Sequence, residues 1–185
     1  MQMSDGSTST GGFLLGTDPE TYQQYIESSI CQVAEINGKV VGFAIILPDE
    51  ILRKSEVWMK RNSVQWTIDL QKYEEQKLCF FEQFAFLPGN KKSAVLLGYH
   101  ITKHAFDKGF ESLFTTTVNK PVVNLAALPF IHAVDGIFAG KIDEVYPFIG
   151  EIKSDIYVIE ASKFNKKVPQ HPLYSFFQSS ETLVA

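Results

Sequence analysis

Cysteine is scarce in this sequence. Cys31 and Cys79 are the two among 185 residues, and no CxxC pair exists. A disulfide framework is excluded, as is a thiolate zinc site, which needs several ligands at short spacing. No metal is expected, and both cysteines read as buried thiols. An excess of charge of one sign is missing too. Lys and Arg number 17 against 21 Asp and Glu, a formal charge of −4. That balance excludes a general binder of phosphate backbones, so no nucleic-acid partner is expected. No apolar run reaches the ~18 residues that a membrane span requires. The opening MQMSDGSTSTGG lacks the basic and apolar parts of a signal peptide. No membrane partner and a cytoplasmic location are the expectations.

What is present is apolar. Hydrophobic residues make up 45% and aromatics 13%, with 15 Phe. This supplies the core of one domain and excludes wholesale disorder. Residues 1–12 are Ser/Thr/Gly-rich and expected to be disordered. Residues 13–161 carry the periodic pattern of a folded domain, and 162–185 form a tail holding Tyr174, Phe176 and Phe177.

Asp18-Pro19 predicts a helix start, with Asp18 as cap, Pro19 at the first helical position and an end near Ser29. Two apolar runs flank Asn37-Gly38, which predicts a hairpin with strands at 30–36 and 39–47. Residues 48–76 are mixed and charged, and helical segments are expected there. LCFFEQFAFL, 78–87, reads as a central strand covered on both faces, with Glu82 its one acid. Pro88-Gly89-Asn90 ends it. A helix follows at 92–107, then a strand at 112–118. Pro121 is expected to open a helix running to Val134, with Pro129 anomalous inside it. Strands at 137–146 and 152–161 close the order as a hairpin. The class is α/β or α+β: a mixed sheet with one strand–helix–strand unit, hence one parallel pair.

The chemistry concentrates where the buried strand meets the next helix. Lys91, Lys92 and Ser93 stand at a helix N-terminus, whose free N–H groups and partial positive charge suit a phosphate. An ordinary strand–helix turn with solvated lysines is the other reading. His100 and His104 lie one turn apart, but no acidic third ligand accompanies them, so a polar helix face is favoured over a metal pair.

Three segments together resemble the GNAT superfamily of acyl-CoA N-acyltransferases. VAEINGKVVGFAI is similar to its second and third strands. FLPGNKKSAVL is similar to its strand-end proline and its Arg/Gln–x–x–Gly–x–Gly/Ala loop: Pro88 matches, Lys91 takes the Arg/Gln place, Ala94 the first Gly, Val95 the apolar position and Leu96 the second Gly/Ala. PVVNLAALPFIHAVDG resembles the family's Pro–x–x–Asn segment, matching at Pro121, Asn124, Ala127, Leu128 and Phe130, with His132 and Gly136 in place after a one-residue slip. The resemblance covers about 13–161. The family's first strand is not recognisable ahead of Gly12-Phe13.

The resemblance implies a mostly antiparallel GNAT-like sheet flanked by helices, with a central parallel pair. It implies acetyl-CoA as cosubstrate, with Phe84 and Phe86 offering backbone groups to the pantetheine. Lys91, Lys92, Ser93, Ala94, Val95 and Leu96 would surround the pyrophosphate, and Asn124 would meet the cofactor arm. It implies Glu82 as general base and His132 as the acid that protonates the leaving thiolate. Read on its own, Glu82 is equally a sheet-edge carboxylate bonded to its surroundings, and His132 a helix-surface imidazole. Strict alignment puts Ile131 in the acid's place.

Two functions follow. One is acetyl transfer to a primary amine, of a small molecule or a protein, by direct attack. The other is a catalytically degenerate GNAT-fold binding or interaction protein, favoured by the missing loop glycines. The tail is expected to dock over the sheet surface left by the unrecognised first strand, or to cross to a partner in a homodimer.

Overall fold

The computed structural model describes residues 17–146 and 150–178. The Ser/Thr/Gly-rich start and the first-strand question fall outside them. Helix α1 (Pro19–Ser28) begins as its sequence dictates: the Asp18 carboxylate accepts from the Thr21 N–H at 2.8 Å, and Pro19 occupies the first turn. Strands β1 (Ile30–Ile36) and β2 (Lys39–Pro48) pair antiparallel about Asn37 and Gly38. Both turn residues have positive φ, 52° and 75°, as a primed hairpin turn demands.

The segment after β2 builds a brace rather than one long helix. It holds α2 (Asp49–Leu52), α3 (Glu56–Met59), a 3-10 turn (Lys60–Ser63), β3 (Gln65–Trp66) and α4 (Gln71–Glu74). Arg53 fastens it. Its Nε meets Asp49 Oδ2 at 2.8 Å, and Nη2 donates to the Glu74 and Gln76 carbonyls. The Arg53 and Arg61 guanidiniums both lie over the Trp58 ring, at 5.0 and 4.8 Å, and Arg61 also pairs with Glu74. Strand β3, not foreseen from the sequence, adds to the far edge of the sheet. It pairs with a later strand at Gly140, where a Cβ would stand 2.7 Å from the Gln65 carbonyl oxygen.

Strand β4 (Leu78–Phe86), α5 (Lys91–Asp107) and β5 (Ser112–Lys120) form the crossover unit, and β4 and β5 are parallel. Helix α6 covers only Leu128–Ala133. The helix expected from Pro121 does not form over 121–127. Pro129 has no N–H and its ring would clash with the carbonyl four residues back, so it is tolerated only in a first turn, and the helix starts beside it. Strands β6 (Ile137–Tyr146) and β7 (Gly150–Glu160) then pair antiparallel.

Among the described residues seven strands run in the order β1-β2-β4-β5-β7-β6-β3. Every pairing is antiparallel except β4–β5. Helix α5 covers one face, burying Leu97, Ile101 and Ala105 against Ala44, Ile46, Cys79 and Ile159. Helix α1 and the brace cover the other, over Ile45, Leu47, Phe80, Phe114 and Val158. Each Val, Leu, Ile and Phe among them contributes roughly 1.5–3 kcal/mol by leaving water, and the alanines less.

The tail docks, but not on the β1 side of the sheet. It forms α7 (Ala161–Lys167), a 3-10 turn (Val168–Gln170) and α8 (Tyr174–Gln178), all packed on α5 of the same chain. Tyr99 of α5 stacks on Phe177 at 4.6 Å and on Phe164 at 6.0 Å. The physical reason is proximity: β7 ends beside β5, and α5 offers apolar surface there. Val33 and Ile36 of β1, the outermost of the described strands on that side, are exposed.

Candidate active site

Strands β4 and β5 stay paired only from Leu78↔Ser112 to Phe81↔Thr115. Beyond that point β4 stays with β2 through Phe86, and β5 stays with β7 through Lys120. The two central strands therefore part, leaving a cleft between 82–86 and 116–120. Backbone groups on the cleft side of β4 follow from the alternation of an antiparallel ladder. The Leu87 N–H donates to the Val41 carbonyl at 2.8 Å, so Leu87 and Ala85 face β2. Phe84 and Phe86 then turn their N–H and C=O into the cleft. Their rings touch each other at 5.1 Å, and Phe84 is exposed.

Glu82 sits where the strands part. The β2 register passes from Ile45↔Gln83 to Ile46↔Phe81, so Glu82 is the extra residue of a β-bulge. The bulge turns Glu82 and Gln83 toward the α1 side together. Tyr22 Oη donates to Gln83 Oε1 at 2.9 Å, and Tyr25 Oη lies 3.5 Å from Glu82 Oε1. Burial pushes the Glu82 carboxyl above the ordinary carboxylate range. The Tyr25 hydroxyl opposes that rise, and the Glu144 carboxylate adds to it. The Tyr25 hydroxyl is itself pushed up to about 12, first by burial and then by Glu82.

A second group closes this side. Glu144, on β6, holds Lys60 Nζ at 2.8 Å. Lys60 Nζ also lies 5.6 Å from the centre of the Tyr146 ring. Burial raises the Tyr146 hydroxyl to about 12, with Glu144 and Glu82 adding to it. Glu82, Glu144, Tyr25, Tyr146 and Lys60 thus share one electrostatic environment on the α1 and brace side of the sheet.

The α5 N-terminus lies at the other end of the cleft. No side chain caps it: Asn90 Nδ2 turns back to the Leu87 and Pro88 carbonyls. The first turn of a helix leaves its N–H groups without intrahelical partners. Lys91 and Lys92 stand exposed beside them, with Ser93 and Ala94 half-buried. Val95 and Leu96 pack against the core beneath α5, so the bulk of Leu96 is taken up by packing.

After β5 the chain turns back, with the Asn124 N–H donating to the Val118 carbonyl at 2.8 Å. Asn124 Oδ1 accepts from the Ala126 N–H at 3.2 Å. Ile131 is buried and its Cγ2 fills the space beside Gly136. His132 is exposed, and its ring meets Tyr157 edge-on at 6.1 Å. Tyr157 is paired with Thr115, the last residue of β5 in register with β4. Burial raises the Tyr157 hydroxyl, with Asp155 adding to it. Among the described residues no group of three or more His, Cys, Asp or Glu could hold a metal ion. No described helix is long and apolar enough to cross a membrane.

The fold as a whole has counterparts among solved structures. Ribosomal-protein-alanine N-acetyltransferase from Brucella melitensis superposes with a TM-score of 0.55 at 16% identity, over 78% of this chain and 79% of that one. The chain has the GNAT fold. An N-acyl amino acid synthase from uncultured soil microbes matches with a TM-score of 0.54 at 13% identity, over 82% and 84% of the two chains. A GNAT family acetyltransferase from Elizabethkingia anophelis, solved with acetyl-CoA bound, matches with a TM-score of 0.50 at 13% identity, over 77% and 83%. No protein-family model matches the sequence, and no curated protein does. The fold is matched in shape at low sequence identity.

The structure brings Glu82, Phe84, Phe86 and the α5 start to one cleft. His132 stands apart from Glu82 on the α5 side of the sheet, near Tyr157. Tyr25, Glu144, Tyr146 and Lys60 were not singled out from the sequence. A Tyr on a capped helix carries no local mark of chemistry, and Lys60 and Glu144 are 84 residues apart.

Proposed function

We propose that this chain transfers an acetyl group from acetyl-CoA to a primary amine by direct attack, without a covalent enzyme intermediate. The observation that carries the reading is the bulge at the fork of β4 and β5. It sets one half-buried carboxylate of raised pKa at the end of a cleft whose other end is an uncapped helix.

The residues present fit coenzyme A. The free N–H groups of the first turn of α5, with Lys91, Lys92 and Ser93 beside them, suit the pyrophosphate. Phe84 and Phe86 turn backbone groups toward a strand-like pantetheine. Ala94 and Leu96 differ from the family's glycines. Leu96 packs on the core, and Ala94 adds only a methyl group. When bound, the cosubstrate supplies an activated acyl group on a thiol leaving group. Glu82, pushed up by burial, accepts a proton from the incoming ammonium near neutral pH. Asn124 steadies the cofactor arm. His132, beside Tyr157, returns a proton to the departing thiolate. The acceptor is a small molecule or a protein amine approaching from the α1 and brace side.

The test is substitution with a binding control. Glu82→Gln should leave coenzyme A affinity within a few-fold and lower the acetylation rate by about 10²–10⁴. Tight coenzyme A binding with no acetylation of any amine offered, by either protein, would favour the degenerate binding protein instead.

A further inference from the structure

A bulge also interrupts the outer end of β5. Its register on β7 passes from Val118↔Ser154 to Lys120↔Lys153, so Asn119 is the extra residue. The insertion sets Lys120, rather than Asn119, opposite Lys153. On its other side Lys153 faces Asp143 of β6, and the two side chains meet at 2.9 Å. Two residues on along β7, Asp155 lies opposite Lys141 of β6. Residues 153, 155 and 157 share one face of the strand. It is the face on which His132 of α6 meets Tyr157. Asn119 reaches the same face, since its Nδ2 donates to Asp155 Oδ2 at 2.8 Å. Asn119, Lys120, Lys141, Asp143, Lys153 and Asp155 line one cavity of about 270 Å³ there. No residue of β4 or α5 is among its walls, so it is separate from the Glu82 wall of the cleft and from the α5 start.

Both carboxylates of the cavity are engaged. Asp143 holds Lys153, and Asp155 accepts the Asn119 amide through Oδ2 while its Oδ1 is buried. Two of the three ammonium groups are not. Among the described residues neither Lys120 nor Lys141 has an ion pair. Lys141 Nζ lies 5.9 Å from the centre of the Phe138 ring, although Asp155 is its cross-strand partner. Like charges directly opposite each other destabilise a sheet. Here an inserted residue brings Lys120 to Lys153 all the same. Such a departure marks a place where the fold serves something besides its own stability. We infer that the cavity is a site for a small oxyanion of two negative charges, a phosphate or a dicarboxylate, held between the Lys120 and Lys141 ammonium groups. Asn119 has a second amide N–H to donate to it. Bound there, the anion relieves the repulsion between Lys120 and Lys153. The inference does not depend on acyl transfer.

The experiment titrates the nitrogen-labelled full chain with inorganic phosphate, and in parallel with malonate, at constant ionic strength set by sodium chloride. Saturable shifts of the amide signals of 119–120, 141 and 153–155 are expected, with one common midpoint, and the arm with the lower midpoint names the ligand class. Lys120→Gln and Lys141→Gln together should weaken binding about 10-fold or more. Asp143→Asn, which releases Lys153, should strengthen it. Melting temperature adds a readout with a change of sign. Without phosphate and at low salt, Lys120→Gln should melt above the parent, because the opposed charges are gone. It should also lose most of the rise that phosphate gives the parent. Added coenzyme A should leave the phosphate midpoint unchanged. Shifts that never saturate, or that sodium chloride alone reproduces, mean an adventitious ion only and overturn the inference. So do unchanged binding in the double variant and a lower melting temperature of Lys120→Gln without phosphate. Displacement of phosphate by coenzyme A overturns it too, by assigning the cavity to the cosubstrate.

Discussion

The ring of Phe86 lies against Gly42, its cross-strand partner, so closely that a Cβ at Gly42 would clash with the ring carbons Cδ1 and Cε1. That contact seats the second half of β4 on β2 and so fixes the near wall of the cleft. Gly42→Ala must displace Phe86 or part the strands. We expect a loss of about 1–3 kcal/mol, the range for an overpacked site. Urea denaturation measures it, and weaker coenzyme A binding by the same variant should accompany it. An unchanged midpoint would show that the ring moves freely.

Glu82 gives the protein a stability that depends on pH. Burial raises its folded pKa, so the ionised form is disfavoured in the folded state relative to the unfolded chain. The contribution is fully present below the unfolded value of about 4.3. It is lost as pH rises through the higher folded value. Glu82→Gln should therefore gain stability relative to the parent as pH rises toward neutrality, and little at acid pH. Tyr25→Phe removes a hydroxyl that favours the carboxylate, so the Glu82 midpoint should rise further. Denaturation over a pH series reads the first effect and carbon NMR the second. A Glu82→Gln difference that does not vary with pH would contradict the assignment.

The tail is a structural part of the domain. Phe177 is buried between Tyr99 and His171, and Phe164 lies against Tyr99 and Phe106. Phe177→Ala or Phe164→Ala should each cost about 3–5 kcal/mol, as for other buried Phe residues. Removing 166–185 should lower the melting temperature, read by circular dichroism. An unchanged melting temperature would mean that α5 does not need this cover.

Elements marked by local chemistry were legible in the sequence. Asp18-Pro19, Asn37-Gly38 and the run from Leu78 carry their own start, turn and burial signals, and the structure places them within a residue or two. What depends on two distant strands was not. The bulge at Glu82 exists only in the register of β4 on β2, and β3 only through its contact with Gly140. The helix from Pro121 failed because the hydrophobic pattern outweighed Pro129, whose missing N–H decides the start of α6. The group on the α1 and brace side was invisible because Tyr25, Lys60, Glu144 and Tyr146 meet only after folding.

The most direct test of the account is calorimetric titration of the protein with coenzyme A. One site per chain is expected, weakening as salt rises, because exposed lysines act through screened charge. Lys91→Ala and Lys92→Ala should each reduce affinity by about 1 kcal/mol or less. Absence of binding at any salt concentration, or a tighter complex after both substitutions, would contradict the assignment of the α5 start and the cleft beside Glu82 as an acyl-CoA site.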